Sequence, residues 1–523
     1  MNRLPLMRLL DSHPRWRTAL AAMLTGLLAA LAFPPSILWP LAFVALLPLL
    51  RELDRGRGFG AALLAGLVYH TITVSWIGAN TDPPPLLARL SAGGAIFWLS
   101  MLWGLTGLAT QRLRRRLGPR ALWLFPALMV AVDWLVEGTE MGFPWTFLGA
   151  TQVNDPLLRP LAALGGMHAI TLALLAANLL LYRLWRPTGS RRPLWIGLAL
   201  WLAAVPALGL LARGDVADTG LEVELLMVQG DINPVEKWNL PWMDTVAKHL
   251  ELTRGALEAG ARPQLVIWPE TAVPTKLRQR PRLVGLLAEF CRESGAALLT
   301  GANDTEDDGD GRRRPYNGSF LLTGDGLTDM YRKIHLVPFG ERVPGQSLIP
   351  ALGGINMGQA EFAPGTSMRA GRLALAVGDT LRFAWSICFE GNFAALARAM
   401  VRDGAELLVN QTNDAWFGTG RELDQHLAIA RLRAVETGRW LVRACNNGYS
   451  AAVAPDGRVV RLLPKGREGA LSICVPLRRG STFYLRFGDL LPRLCLLLAA
   501  WGAVLAVAAG DARKLVASPG PMP

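Results

Sequence analysis

Leu265-Val266-Ile267-Trp268-Pro269-Glu270 is a short apolar run, partly β-branched, that stops at a proline followed by an acid. It is too short for a helix, and Pro269 cannot donate to a sheet ladder, so the stretch reads as a buried strand with a carboxylate at its end. Runs of the same texture recur at Leu225–Val228, Ala297–Thr300, Phe320–Thr323, Phe383–Ile387, Leu407–Asn410 and Trp440–Arg443. Amphipathic stretches between them predict helices over Met243–Ala259, Arg282–Ser294, Asn392–Asp403 and Glu422–Gly438. The acidic-then-basic segment Asp304–Arg314 reads as a surface loop. Alternation of this kind predicts an α/β domain, and residues 214–484 are long enough for one with its own core.

Outward from this domain the composition changes. The chain has 523 residues, of which 51% are hydrophobic and 18% charged, and its mean hydropathy is +0.27. The apolar residues concentrate before residue 213 and after residue 487, so lipid is the expected solvent for those parts. Stretches near 18–33, 36–52, 58–78, 88–110, 120–137, 161–183, 193–212 and 487–509 can each cross a hydrocarbon core of about 30 Å. This gives a membrane α-helical bundle of about eight spans: about seven helices in 1–213, and one more, with a cytoplasmic tail, in 485–523.

The net charge is +13, but its distribution excludes a nucleic-acid role. Arginines crowd alternate gaps between spans: Arg15 and Arg17; Arg51, Arg55 and Arg57; Arg112, Arg114, Arg115 and Arg116; Arg183, Arg186 and Arg191. That alternation is the positive-inside pattern, which puts the N-terminus in the cytoplasm and residues 214–484 outside. Arg15, Arg17 and Ala30-Leu31-Ala32 also resemble a cleavable signal peptide. A retained anchor is expected instead, because a second apolar stretch follows at once. Asp133 and Glu137, one helical turn apart, and His70 and His168 are ionisable groups at or near membrane depth, open to packing or to substrate contact. Trp134 and Trp145 suit an interfacial belt. Five cysteines without CxxC spacing leave at least one free thiol, and six scattered histidines give no metal-ligand cluster.

Three segments of the middle domain carry chemistry. Glu270 ends its strand, Lys333 sits in Tyr331-Arg332-Lys333-Ile334-His335-Leu336-Val337-Pro338-Phe339-Gly340-Glu341, and Cys388 ends Trp385-Ser386-Ile387-Cys388-Phe389-Glu390. Each alone has a plain reading: a solvated acid, a surface cation, a small buried hydrophobe. Taken together and in this order, they resemble the Glu–Lys–Cys triad of the nitrilase superfamily. Val228-Gln229-Gly230-Asp231-Ile232, Lys237-Trp238, Asn413-Asp414-Ala415-Trp416-Phe417-Gly418 and Asn446-Asn447-Gly448 tighten the likeness. With the flanking spans, nearly the whole chain resembles the bacterial apolipoprotein N-acyltransferase family.

The resemblance implies an αββα sandwich fused to the bundle, in a bacterial inner membrane with the catalytic domain periplasmic. It implies transfer of an acyl chain from a phospholipid to the N-terminal amine of a diacylglyceryl-cysteine apolipoprotein, with no cofactor and no metal. Cys388 would be the nucleophile, Glu270 its general base, and Lys333 the charge that favours thiolate and oxyanion, with the Phe389 backbone N–H helping. An acyl thioester follows, and ping-pong kinetics. By resemblance Glu341 orients Lys333, Glu390 supports the strand end, and Trp238, Asn317 and Trp416 stand at the edge of the site; a monomer is expected. Phe389, Asp231 and Cys445 depart from the family's usual tyrosine, asparagine and threonine, and Cys445 adds a thiol that could confuse labelling. Asn446-Asn447-Gly448 reads equally as turn chemistry. The stretch from Val343 to Gly365, with Leu348, Ile349, Leu352, Ile355 and Met357, suits a lid dipping towards lipid. The competing activity is a membrane-tethered amidase or nitrilase that passes the acyl group to water.

Overall fold

The computed structural model describes residues 14–81, 83–233, 237, 241–307, 313–346, 348–349, 361–417 and 420–517. The chain forms two compact units: one holds the described residues up to Ser75, with Ala92–Leu210 and the chain from Asp489 on; the other holds Trp76–Ser91 and Leu211–Gly488.

The first unit is helical. Among the described residues six helices are long and apolar enough to cross a membrane: Phe59–Ala79, Pro85–Leu117, Pro119–Glu137, Arg159–Trp185, Arg192–Leu211 and Leu490–Ala509. A further helix, Pro14–Ala32, runs for 19 residues and stands outside these six. The stretch expected as a span at 36–52 is broken instead into Trp39–Leu41, Ala42–Ala45 and Leu47–Asp54. Pro40 and Pro48 explain the breaks, since each removes a backbone donor and disfavours helix in the residue before it. Lipid offers no hydrophobic drive between helices, so close packing rests on small residues. A Cβ on Gly26 would lie 2.4 Å from the Ala65 carbonyl oxygen, so Pro14–Ala32 meets its neighbour backbone to backbone there.

Arginine-rich gaps converge within this unit. Asp54 receives Arg114 and Arg183, both at 3.3 Å, and the Tyr182 hydroxyl at 2.9 Å. Glu52 pairs with Arg55 at 2.9 Å and Arg57 at 3.4 Å. Glu137 is paired with His168 at 3.0 Å. Trp134 lies under the Arg493 guanidinium, whereas Trp145, expected at an interface, is buried and stacks on Phe143.

The second unit is built on β1 (Ala217–Gln229), β2 (Leu265–Ile267), β3 (Val273–Lys276), β4 (Ala297–Asp307), β5 (Arg313–Thr323), β6 (Gly326–Arg332), β7 (Gly371–Ala374), β8 (Thr380–Ile387), β9 (Leu407–Thr412), β10 (Trp440–Cys445), β11 (Ser450–Val453), β12 (Val459–Leu463) and β13 (Gly469–Arg479). One sheet has the order β13-β1-β2-β4-β5-β6 with β3 beside β4; the other runs β12-β11-β10-β9-β8-β7. Each is parallel at its centre (β1-β2-β4 and β8-β9-β10) and antiparallel outside, except that β3 runs parallel to β4. The predicted strands and helices are all present; β1 begins eight residues before its expected start, β4 runs seven residues past its expected end and β5 begins seven residues early, while the rest lie within a few residues of their expected ends. Asp304–Arg314 is not simply a loop. β4 and β5 run into it with Glu306 opposite Arg314 and Asp307 opposite Arg313, and opposite charges across a ladder stabilise the pairing.

Helices Trp242–Glu258 and Pro281–Ser294 lay Val246, Leu250, Leu283, Leu287 and Phe290 on the first sheet. Ala394–Arg402 and Arg421–Thr437 pack against the second sheet. The sheets face each other, joined by Gln411, whose amide donates to the Trp268 carbonyl at 2.6 Å and whose oxygen accepts from Ser319. The result is an αββα sandwich. Phe320 is fully buried in its core, so Phe320→Ala is expected to cost about 3–5 kcal/mol. Thermal unfolding of the detergent-solubilised protein checks this, and an unchanged midpoint contradicts it.

Candidate active site

β2 stops at Ile267 because Pro269 cannot continue the ladder. The chain then turns at Thr271, a non-glycine residue at φ +51°. β4 accommodates this turn through Gly301, where a Cβ would lie 2.5 Å from the Thr271 nitrogen and 2.6 Å from the Glu270 Cα. Glu270 is thereby buried between the sheets. Its Oε1 accepts from Asn317 Nδ2 at 2.7 Å and from Lys333 Nζ at 3.4 Å, and its Oε2 accepts from the Asn413 backbone N–H at 3.0 Å.

Lys333 follows directly on β6, its backbone N–H still bonded to the Asn317 carbonyl at 2.9 Å. Its ammonium donates to Glu341 Oε1 at 2.9 Å, while Glu341 Oε2 accepts the Val337 N–H at 2.9 Å. Asn317 Nδ2 also reaches Glu341, at 3.2 Å. One buried cation is thus shared by two carboxylates, with Asn317 bridging them.

Cys388 follows directly on β8 and opens a short 3-10 turn, Cys388–Asn392, at φ +52°. A left-handed residue with a side chain costs about 1–2 kcal/mol, so the surroundings must enforce it. Glu390 does so from one side. Its Oε2 accepts the Ile387 N–H at 2.8 Å, and its Oε1 accepts the Tyr331 hydroxyl at 2.7 Å, the Ile334 N–H at 2.6 Å and the His335 N–H at 3.0 Å. One buried carboxylate therefore ties the Cys388 turn to the segment carrying Lys333. Glu390→Ala leaves these donors unpaired, each at about 1–3 kcal/mol; the thermal midpoint and the rate of Cys388 modification are both expected to fall, and wild-type values contradict this.

The electrostatics match the geometry. Burial pushes the Cys388 thiol well up, and the charges of Glu270 and Asp414 push the same way; Lys333 and the Thr412 hydroxyl oppose them. The sulfur is therefore protonated at rest and needs a base. Lys333 is raised: burial pulls it down, but Glu341, Glu270 and Cys388 outweigh that. Burial lifts Glu390 to about 7 against its hydrogen bonds. Lys237, also buried, falls to about 8, opposed by Glu270.

A second polar cluster, which the sequence did not single out, lies beneath Cys388. Asp414 accepts from Thr412 Oγ1 at 2.7 Å, His426 Nδ1 at 3.0 Å and Arg443 Nη2 at 2.6 Å. Arg443 also donates to Asn410 Oδ1 at 2.7 Å. Asp414 is held far below the usual carboxylate range: burial alone would raise it, but Arg443 and His426 prevail. Asp414, Glu422 and His426 could offer a metal three ligand atoms, but the Arg443 guanidinium already lies among them. Asn446, read as turn chemistry, holds both backbone groups of Ile232 and accepts no lesser role: its Nδ2 also donates to Asn413 Oδ1 at 3.0 Å, and the Asn413 N–H binds Glu270.

The other expected residues fall differently. Phe389 is buried, edge-on to Phe393. The Trp416 carbonyl accepts both the N–H and hydroxyl of Thr81, at 3.1 and 3.2 Å. Trp238 lies outside the described residues, as do Leu352, Ile355 and Met357 of the expected lid. Leu348 and Ile349 are 87% and 57% exposed. Cys445 is fully buried, its sulfur 3.0 Å from the Gly448 N–H. It is therefore shielded from label.

Known proteins resemble both parts of this chain. The carbon-nitrogen hydrolase family model matches residues 227–481, and that of the apolipoprotein N-acyltransferase N-terminal domain matches residues 25–180. The chain is 34% identical over 517 residues to an apolipoprotein N-acyltransferase of Geobacter metallireducens, covering 95% of this chain and 96% of the relative. It is 33% identical to that of Vibrio cholerae, covering 91% and 94%, and 32% identical to that of Pseudomonas aeruginosa, covering 91% and 93%. Among solved structures, an amidase from Nesterenkonia sp. is similar at 20% identity and a TM-score of 0.37, over 49% of this chain and 90% of that one. The chain belongs to the apolipoprotein N-acyltransferase family, within the carbon-nitrogen hydrolases.

Proposed function

We propose that this chain moves an acyl chain from a phospholipid to the N-terminal amine of a diacylglyceryl-cysteine apolipoprotein, through a thioester on Cys388. The observation that carries this reading is the buried Glu270–Lys333–Glu341 array beside the Cys388 thiol, in a chain whose relatives carry that activity in their names. As sulfur attacks the ester carbonyl, Glu270 takes the thiol proton. Lys333 and the Phe389 N–H stabilise the tetrahedral oxyanion. Glu270 then returns the proton to the departing lysophospholipid oxygen. The lipoprotein amine attacks the thioester next, Glu270 takes its proton, and thiolate leaves to be reprotonated. Glu341 does not react; it fixes Lys333 and neutralises part of its charge.

The substrates are membrane-anchored, which suits a unit with six apolar helices. Convergence of arginines on Glu52 and Asp54 supports a cytoplasmic position for those gaps, and the positive-inside pattern of the sequence supports a periplasmic one for residues 214–484. The test is the second acceptor. Enzyme loaded from radiolabelled phospholipid and then given a diacylglyceryl-cysteine peptide is expected to discharge its label onto the peptide amine. Discharge to water alone, with or without peptide, would instead make it a hydrolase.

A further inference from the structure

The Cys388 carbonyl is held from beneath. His426 Nε2 lies 3.2 Å from that oxygen, and Asn410 Nδ2 lies 3.4 Å from it. At its other nitrogen His426 faces Asp414 Oδ1 at 3.0 Å and Glu422 Oε1 at 3.5 Å. With carboxylate oxygens facing Nδ1 and a carbonyl oxygen facing Nε2, a doubly protonated ring gives each side a donor. Arg443 Nη2 is also 3.0 Å from Nδ1, but its shorter contact, 2.6 Å, is to Asp414 Oδ2. The two cations therefore share the Asp414 carboxylate, with Glu422 beside them. His426 is raised accordingly: burial and Arg443 pull it down, and Asp414 and Glu422 more than offset them.

The carbonyl of Cys388 and the N–H of Phe389 belong to one peptide plane and point in opposite directions. Fixing the oxygen fixes the hydrogen, and a cationic donor on the oxygen polarises the N–H on the far side. We infer that His426 is a positioning residue for the oxyanion hole: its imidazolium grips the Cys388 carbonyl, and thereby aims and strengthens the Phe389 N–H that receives the developing oxyanion. The chain of action runs Asp414, His426, peptide 388–389, oxyanion. It rests on the acyl-transfer reading above. It also accounts for the left-handed backbone at Cys388, held by Glu390 on one side and by His426 with Asn410 on the other.

Two reactions of the same sulfur separate this role from a merely structural one. Acylation by a phospholipid ester passes through an oxyanion, whereas alkylation by iodoacetamide does not. Both are followed by mass spectrometry of the peptide containing Cys388, using the full-length enzyme in detergent. In His426→Ala, single-turnover acylation is expected to slow about 10- to 100-fold, somewhat less than deletion of an oxyanion donor outright, with the alkylation rate unchanged. His426→Gln, which keeps a neutral N–H for the carbonyl, is expected to fall between that variant and wild type. Should His426→Ala fail to fold, His426→Gln carries the test: slower acylation with unchanged alkylation supports the role. Wild-type acylation in either folded variant overturns it, as does an equal loss of acylation and alkylation. If the wild-type enzyme itself forms no acyl adduct on Cys388, the acyl-transfer reading fails first.

Discussion

Cys388→Ala is expected to lose all hydroxylamine-sensitive acyl label and to transfer acyl chains at least about 10⁴-fold more slowly, the scale on which removal of a covalent nucleophile is felt. The size follows from how little else in the site can react. Lys333 is locked in its ion pairs with Glu341 and Glu270, and Cys445 is fully buried beside Asp414. The cavity left is small, since only the sulfur is removed, and although the Thr412 hydroxyl loses its contact with it, the Arg443–Asp414 pair and the Glu390 hydrogen bonds do not involve the sulfur. The variant should therefore fold with a thermal midpoint close to wild type. Label that survives in a folded Cys388→Ala protein would place the nucleophile elsewhere.

Lys333→Met removes a charge while keeping an unbranched side chain. Glu270 Oε1 and Glu341 Oε1 both face the lost ammonium, at 3.4 and 2.9 Å. Without it two buried carboxylates confront each other, and one must take up a proton. Breaking a buried pair in this way is worth about 3–5 kcal/mol, and a protonated Glu270 cannot serve as base. Transfer is expected to drop by more than about 10³-fold, through the combined loss of the base and of one oxyanion partner. The pH dependence has a definite sign. A carboxyl group raised above its unfolded value stabilises the fold relative to high pH, so the variant's deficit shrinks as pH falls and grows as pH rises. Adding Glu341→Gln removes the second charge and should restore part of the stability but none of the turnover. Thermal unfolding between acidic and neutral pH reads the effect, and a midpoint deficit that does not vary with pH contradicts it.

Much of this site was visible in the sequence because its members end strands. Apolar runs that stop at Glu270 and Cys388, and a lysine before a proline-bearing turn, mark strand ends that the two facing sheets bring together. β3, β6, β7, β11, β12 and β13 were not legible. They are short, carry charges or prolines, or pair as hairpins whose outer faces meet solvent, so hydrophobic periodicity is weak in them. The Asp414–His426–Arg443 cluster was missed for a different reason. Its members lie on a 3-10 turn, a helix and a strand, and His426 sits within a helix where a lone histidine carries no signal. Charge placed in runs that otherwise read as core, as Arg443 is within Trp440–Cys445, was the one hint available. A buried arginine requires a buried acid. The break in the second expected span was missed, although Pro40 and Pro48 were there to signal it.

The most direct test is the mass of the enzyme itself. Wild-type protein mixed with a phospholipid of defined acyl chains, without acceptor, should gain the mass of one acyl group, lost on treatment with hydroxylamine and mapped by proteolysis to the peptide bearing Cys388. Adding a diacylglyceryl-cysteine peptide should return the enzyme to its starting mass as the acylated peptide appears. Product formed with no adduct ever accumulating at Cys388, even in rapid-quench samples, would contradict the account and point to direct transfer between the two substrates.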